Sequence, residues 1–320
     1  MKAIEMTEFG DVGVLKYVTK EIAPLGKEQV KIKLYYAGVN PAETYIRQGG
    51  YAFFNPSLPY TPGFDGSGVI EEVGEGVTNY KIGDRVFIAS ALGEFFTGTY
   101  AQWMITSTDS IRHLGETTSF EAGAALGIPA TAAYRALFQR GQLTKGERVL
   151  IHGASGGVGI LALQMAKDAG AYVIGTAGNK ENMEKVRANG ADLVLNHNEE
   201  GYLDKIDGVD LVIEMLANVN LEKDLEVLNT RGRVIIIGNR GSLDFNPRLT
   251  MAKEADIRGI AIWNATQAER AESLNAIEEY LARNSLKPEI GPIYPLEKAS
   301  QAQHDIIHEA TKGKILLKCH

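Results

Sequence analysis

The chain has 320 residues, too many for one ordinary hydrophobic core and suited to two domains. An apolar share of 44% against 23% charged excludes a disordered chain. A net charge of −7 argues against a protein whose main task is to grip nucleic acid, and no apolar run approaches the roughly 18 residues that span a membrane.

In chain order, Met1–Met6 alternates like a strand and lacks the apolar core of a signal peptide. The single cysteine, Cys319, can form no internal disulfide, so a cytoplasmic location is the expectation. Without secretion, the glycosylation sequon Asn264-Ala265-Thr266 is idle. Gln29–Gly38 alternates with Val30, Ile32, Leu34 and Tyr36 on one face, and Gly66–Val73 and Arg85–Ala89 are further strands separated by glycine turns. From about Ser119 the texture turns helical. Arg148–His152, Tyr172–Ala177, Leu193–Asn196, Leu211–Glu214 and Arg233–Ile237 read as strands buried on both faces. Helices are expected at Gly156–Ala169, Asn179–Asn189 and Leu221–Leu228, and that alternation implies a doubly wound parallel sheet. A helix over about Ala268–Arg283 follows, and Lys314–Leu317 is strand-like and returns to the first domain.

The strongest local signal is His152-Gly153-Ala154-Ser155-Gly156-Gly157-Val158-Gly159, set between a strand and an amphipathic helix. Glycines there let a pyrophosphate approach the backbone, and the helix N-terminus offers it free N–H groups. The same residues also fit G-x-S-x-G, the nucleophile elbow of a hydrolase, with Ser155 as nucleophile. The further glycines and the βα unit that follows favour a dinucleotide. No acid stands at Thr176–Asn179 to hold a ribose 2′-hydroxyl, and Lys180 can meet a 2′-phosphate, with Arg240 the next candidate cation. NADPH is the expected cofactor.

Longer strings, including Gly38–Arg47, Leu58–Gly63, Glu214–Leu221 and Thr250–Glu254, carry a resemblance over nearly the whole chain. The sequence resembles the quinone-oxidoreductase branch of the medium-chain dehydrogenase/reductase superfamily, closest to its zeta-crystallins. The resemblance implies an α/β fold, a Rossmann sheet (125–264) inserted into a β-rich GroES-like catalytic domain (1–124 plus 265–320). It implies cofactor contacts from Tyr45, Ser155, Gly156, Gly157, Val158, Gly178, His197, Asn220, Ile237, Gly238, Asn239, Arg240, Ile260, Ala261 and Ile262. Gly238 is expected to leave room on the nicotinamide side of the cleft, and His197 to lie where an adenine sits. Asn40, Tyr45 and Tyr51 are the expected catalytic residues, with Asn40 or a tyrosine hydroxyl near the acceptor oxygen. The chain departs from zeta-crystallins in a shorter stretch around Asp207-Gly208, in Arg231-Gly232, and in a longer Gly93–Thr99 carrying Phe95 and Phe96.

Zinc-dependent relatives hold the metal with a Gly-His-Glu segment and cysteines. Here Gly63-Phe64-Asp65 and Asn40 stand at those places, so no metal site of the usual form is expected. His304-Asp305-Ile306-Ile307-His308 imitates H-E-x-x-H with an acid one methylene short. Without a metal to polarise a carbonyl, a quinone is the expected acceptor, because its reduction yields an aromatic product. An enal or enone reductase is the alternative. A homodimer or homotetramer, and an RNA-binding or structural crystallin-like role in another functional class, enter from the family alone.

Overall fold

Where β-branched and aliphatic runs are closed off by glycine or proline, the chain forms strands. The computed structural model describes residues 1–309 and 313–320. Its strands are β1 (Lys2–Glu5), β2 (Lys16–Thr19), β3 (Gln29–Gly38), β4 (Asp65–Val73), β5 (Arg85–Ala89), β6 (Trp103–Ser107) and β7 (Ile111–His113). Then follow β8 (Arg148–Ile151), β9 (Tyr172–Ala177), β10 (Leu193–Asn196), β11 (Val209–Glu214), β12 (Leu228–Ile236), β13 (Asp256–Gly259), β14 (Ile290–Pro295) and β15 (Lys314–Lys318). The chain divides into unit 1, Met1–Thr131 with Ala265–His320, and unit 2, Ala132–Asn264. The first boundary was expected at residue 124. The division between the two units lies between Thr131 and Ala132, inside the helix Gly127–Tyr134.

Unit 1 is built on a seven-stranded sheet in the order β14-β15-β3-β4-β5-β7, with β6 paired to β3 off that path. The alternation in β3 decides its face: Val30, Ile32 and Leu34 are buried, and they pack with Ile70, Val86, Ile88 and Met104. β15 lies antiparallel on β3, Leu317 opposite Ala37, and adds Ile315 and Leu317 to that core. After β3 a short helix, Pro41–Gln48, starts with Pro41 and a capping box in which Asn40 and Glu43 satisfy each other's backbone. It ends at Gly49, whose φ of 82° is open to glycine.

Unit 2 is a six-stranded parallel sheet in the order β10-β9-β8-β11-β12-β13. The first strand of this unit, β8, lies near the middle. The chain winds outward through β9 and β10, then returns to lay β11 against β8, the reversal at which doubly wound folds bind ligands. Leu150, Ile174, Val212 and Val234 are wholly buried, as expected of strands covered on both faces. Two elements are longer than the sequence suggests. β12 begins at Leu228, paired with Val209, and its ladder breaks over Asn229-Thr230-Arg231-Gly232, with Arg231 at a φ of 65°, before it resumes at Arg233 opposite Leu211. The following-strand helix begins at Ala217, four residues early, because Asn218, Val219 and Asn220 are weak helix formers that hide its first turn.

Candidate active site

The carboxyl ends of the unit 2 strands carry all the expected cofactor residues of that unit. After β8, Gly153 turns at a φ of 56°, its N–H donates to Thr176 Oγ1 (3.1 Å), and the Ala154 N–H donates to the Thr176 carbonyl (2.9 Å). The end of β9 therefore fixes the glycine loop. Helix Gly157–Asp168 then starts from Gly156, with no side chain capping it, so its first N–H groups remain for a ligand. Ser155, Gly157 and Val158 are half-buried and Gly156 is exposed. A Cβ on Gly156 would meet only the Gly153 carbonyl, at 3.3 Å, whereas one on Gly159 would lie 2.4 Å from that oxygen and 2.7 Å from Ala154 Cα. Gly156 is open toward solvent; Gly159 is required by the backbone itself.

Gly178 and His197, at the ends of β9 and β10, are brought together: a Cβ on Gly178 would sit 2.7 Å from His197 Nε2. His197 also borders a cavity of about 770 Å³ with Tyr202, Lys223 and Lys253. Asn179 accepts from the Asn182 N–H (2.9 Å), which leaves Lys180 exposed at the head of the helix Lys180–Ala188. Beyond β11, Asn220 Nδ2 donates to Glu214 Oε1 (3.2 Å). Beyond β12, the Ile237 N–H donates to the Glu214 carbonyl (2.9 Å), Asn239 Oδ1 accepts from the Asn218 N–H (3.0 Å), and the Arg240 N–H donates to Asn218 Oδ1 (2.9 Å). The Ile260 N–H donates to the Ile236 carbonyl (3.0 Å), followed by half-buried Ala261 and buried Ile262. At Gly238 a Cβ would strike the Met215 carbonyl oxygen at 2.2 Å, so packing within the protein itself requires glycine there.

In unit 1 the three expected catalytic residues part company. Asn40 is buried and its amide is spent. Nδ2 donates to Asp65 Oδ2 (2.8 Å) and Glu43 Oε1 (3.2 Å), while Oδ1 accepts from the Lys314 ammonium. With both amide hydrogens used inside the fold, Asn40 has none to offer an acceptor oxygen. Lys314 also pairs with Asp65 (2.8 Å), Asp65 Oδ1 accepts from the Ile128 N–H (2.7 Å), and Tyr100 donates to Glu43. Burial pushes the Glu43 carboxyl up to about 7. Tyr45 and Tyr51, by contrast, are half-buried and stack with centroids 6.1 Å apart at 20°, and Phe53 meets Tyr51 edge-on at 5.4 Å. Burial raises the Tyr51 hydroxyl to about 12. Phe96 packs on Phe54 and Phe64 in the core, and Phe95 is exposed.

Two other readings lose ground. Among the described residues no hydrogen bond joins Ser155 to a histidine. His152 is held instead by Asp224. Asp305 of the imitation zinc helix already accepts from Tyr294 (2.6 Å), Gln301 (2.6 Å) and His304 (3.0 Å).

Residues 26–116 match the family described as alcohol dehydrogenase GroES-like domain, and residues 157–279 the one described as zinc-binding dehydrogenase. A quinone oxidoreductase of Rattus norvegicus is 47% identical over 99% of this chain and 97% of its own. The chain belongs to the quinone oxidoreductases of the medium-chain dehydrogenase/reductase superfamily. A solved Escherichia coli quinone oxidoreductase complexed with NADPH has a TM-score of 0.86 at 27% identity, covering 99% of this chain and 100% of that one. An NAD-dependent alcohol dehydrogenase has a TM-score of 0.90 at 26% identity, covering 100% of both.

The zinc in one matched description does not fit this quinone oxidoreductase at the place expected from sequence. The donors there are an amide and two carboxyls, without sulfur or imidazole, and the Lys314 ammonium already bonds Asn40 and Asp65. Lys314, Tyr100 and Glu43 escaped the sequence reading, as did His152, Glu214 and Asp224. The available signal was a charge abutting an apolar run, as in Lys314 before Ile315-Leu316-Leu317 and Glu214 after Leu211-Val212-Ile213. Lys314→Met should cost about 3–5 kcal/mol in urea unfolding, because it leaves Asp65 uncompensated, and metal analysis of the wild type should find no stoichiometric zinc.

Proposed function

We propose that this protein transfers reducing equivalents from NADPH to quinones without a metal. The observation that carries the cofactor is the acid-free end of β9, Thr176–Asn179, with exposed Lys180 beside it and the glycine loop hydrogen-bonded to Thr176. A dinucleotide pyrophosphate fits the uncapped helix at Gly156, and a 2′-phosphate meets no repelling carboxylate at Thr176–Asn179. The chemistry of NADPH supplies the hydride. The glycine loop, Gly178, Lys180, His197, Asn220 and residues 237–240 and 260–262 bind and orient it.

For the acceptor we assign Tyr45 and Tyr51. Their stacked rings offer flat faces to a flat quinone, and the Tyr51 hydroxyl, raised to about 12 by burial, stays protonated at neutral pH. Asn40 is withdrawn from that role and kept as a support of the helix that carries Tyr45. Positioning then supplies most of the rate, since a quinone needs no Lewis acid to accept reducing equivalents. A cytoplasmic homodimer or homotetramer completes the reading. NADPH oxidation measured against quinones, alkenals and alcohols tests it. Turnover of alkenals above quinones would establish an enone reductase instead.

Gly156→Val should fold and lose NADPH binding by titration, because its Cβ meets little protein but fills the pyrophosphate approach. Gly159→Val should instead lower the unfolding midpoint through its backbone clash.

The wild type should prefer NADPH to NADH in kcat/KM, and Lys180→Ala should weaken NADPH by about one to two decades while sparing NADH. Asn179→Asp should narrow the preference by repelling the 2′-phosphate. Equal kcat/KM for the two cofactors in the wild type would refute the assignment.

A further inference from the structure

At the centre of the unit 2 sheet three ionisable side chains are shut away from water. His152 follows β8, Glu214 ends β11, and Asp224 lies on the helix Ala217–Val227; all are buried. The register of Ile151 opposite Ile213 sets His152 beside Glu214. His152 Nε2 is 2.7 Å from Asp224 Oδ1 and 3.5 Å from Glu214 Oε2. Among the described residues no donor from outside the cluster reaches Glu214 Oε2 or Asp224 Oδ2.

Glu214 is also a hub. Its Oε1 accepts from the Leu216 N–H and from Asn220 Nδ2 (3.2 Å), and its carbonyl accepts from the N–H groups of Ile237 (2.9 Å) and Gly238 (3.3 Å). Through His152 it abuts the strand that feeds Gly153. Three separate segments assigned to the cofactor are thus referenced to one residue, two of them, the Leu216–Asn220 segment and the strand before Gly153, through its side chain. We propose that Glu214 is a positioning residue for NADPH, and that a proton held among His152, Glu214 and Asp224 keeps it in place.

Two carboxylates and an imidazole without water cannot all keep their aqueous charges. Burial raises Glu214 and Asp224 to about 7 each and lowers His152. Around them, Lys223 favours ionised Asp224 and neutral His152, His197 responds to His152, and Tyr202 responds to both acids. The sign follows from acids raised above their usual range. The protonated cluster is favoured at low pH, and the arrangement loses stability as pH climbs from the ordinary carboxylate range through about 7. Above that, two facing carboxylates repel, shift the segments tied to Glu214, and add negative charge near the site assigned to the cofactor's phosphates.

The inference rests on the cofactor reading above. Its test is NADPH affinity from about pH 6 to about pH 8 at constant ionic strength, comparing the wild type with Glu214→Gln, Asp224→Asn and Glu214→Ala. Glu214→Gln imitates the protonated acid and keeps an acceptor for Leu216. It should match the wild type at the acid end and bind NADPH about 3- to 10-fold more tightly than it at the alkaline end, a span within the decade per pH unit that one linked proton allows. Asp224→Asn should flatten the profile in the same way, which keeps the test decisive should Glu214→Ala, expected to bind weakly throughout, fail to fold. Ionisation of the cofactor is common to all four proteins and cancels in the ratios. Parallel profiles for wild type and both amide variants, with binding intact, would overturn this inference alone. Stoichiometric Zn²⁺ or Mn²⁺ binding lost in Asp224→Asn would overturn it in favour of a metal site. A wild type that binds no NADPH at any pH would overturn the cofactor reading and this inference with it.

Discussion

The pairing of β11 with β8 is the constraint on which unit 2 depends. Because the chain reverses its direction of winding there, two adjacent parallel strands send their following segments to opposite faces of the sheet. The glycine loop leaves one, and the Glu214–Asn220 segment leaves the other. The buried triad would not exist if β11 had paired at the sheet's edge, because only that pairing sets Glu214 beside His152.

Unit 1 answers a different problem. It holds charge in its interior where a metal would otherwise gather the donors, and it does so with a lysine. Lys314, Asp65, Asn40, Glu43 and Tyr100 satisfy one another almost completely, so the cost of burying ions is offset by hydrogen bonds at nearly every atom. The network holds Asn40 and Glu43, the capping pair of the helix bearing Tyr45. Electrostatics deep in the sheet and the aim of an aromatic side chain are in this way joined by one helix cap.

Much of this was legible in sequence, for physical reasons that can be named. Short β-branched and aliphatic runs between turn residues located β9 and β10 to the residue, although β10 lies at the sheet's edge and only Leu195 of it is buried, and alternation did the same for β3. The glycine loop was legible because close backbone approaches admit few residue types. What sequence hid were contacts between distant positions. Asn40 looked like a free amide because nothing local announces that Lys314 and Asp65 will claim it. The packing demand at Gly238 was hidden because the carbonyl of Met215, which needs that space, comes from another strand's end. His152 was read only as a letter of the loop, since its partners Glu214 and Asp224 lie more than sixty residues on.

The lysine that neutralises Asp65 stands 249 residues after it in the chain. During synthesis, therefore, β3 and β4 exist long before β15 does. For that interval β3 lacks the strand that later covers one edge, and Asp65 sits in the nascent sheet without its cation. Unit 2 lies wholly between these positions and has every strand of its own sheet in hand first. With the countercharge in β15, the buried ion pair of the N-terminal sheet cannot close until that strand has been made, after every strand of the unit 2 sheet.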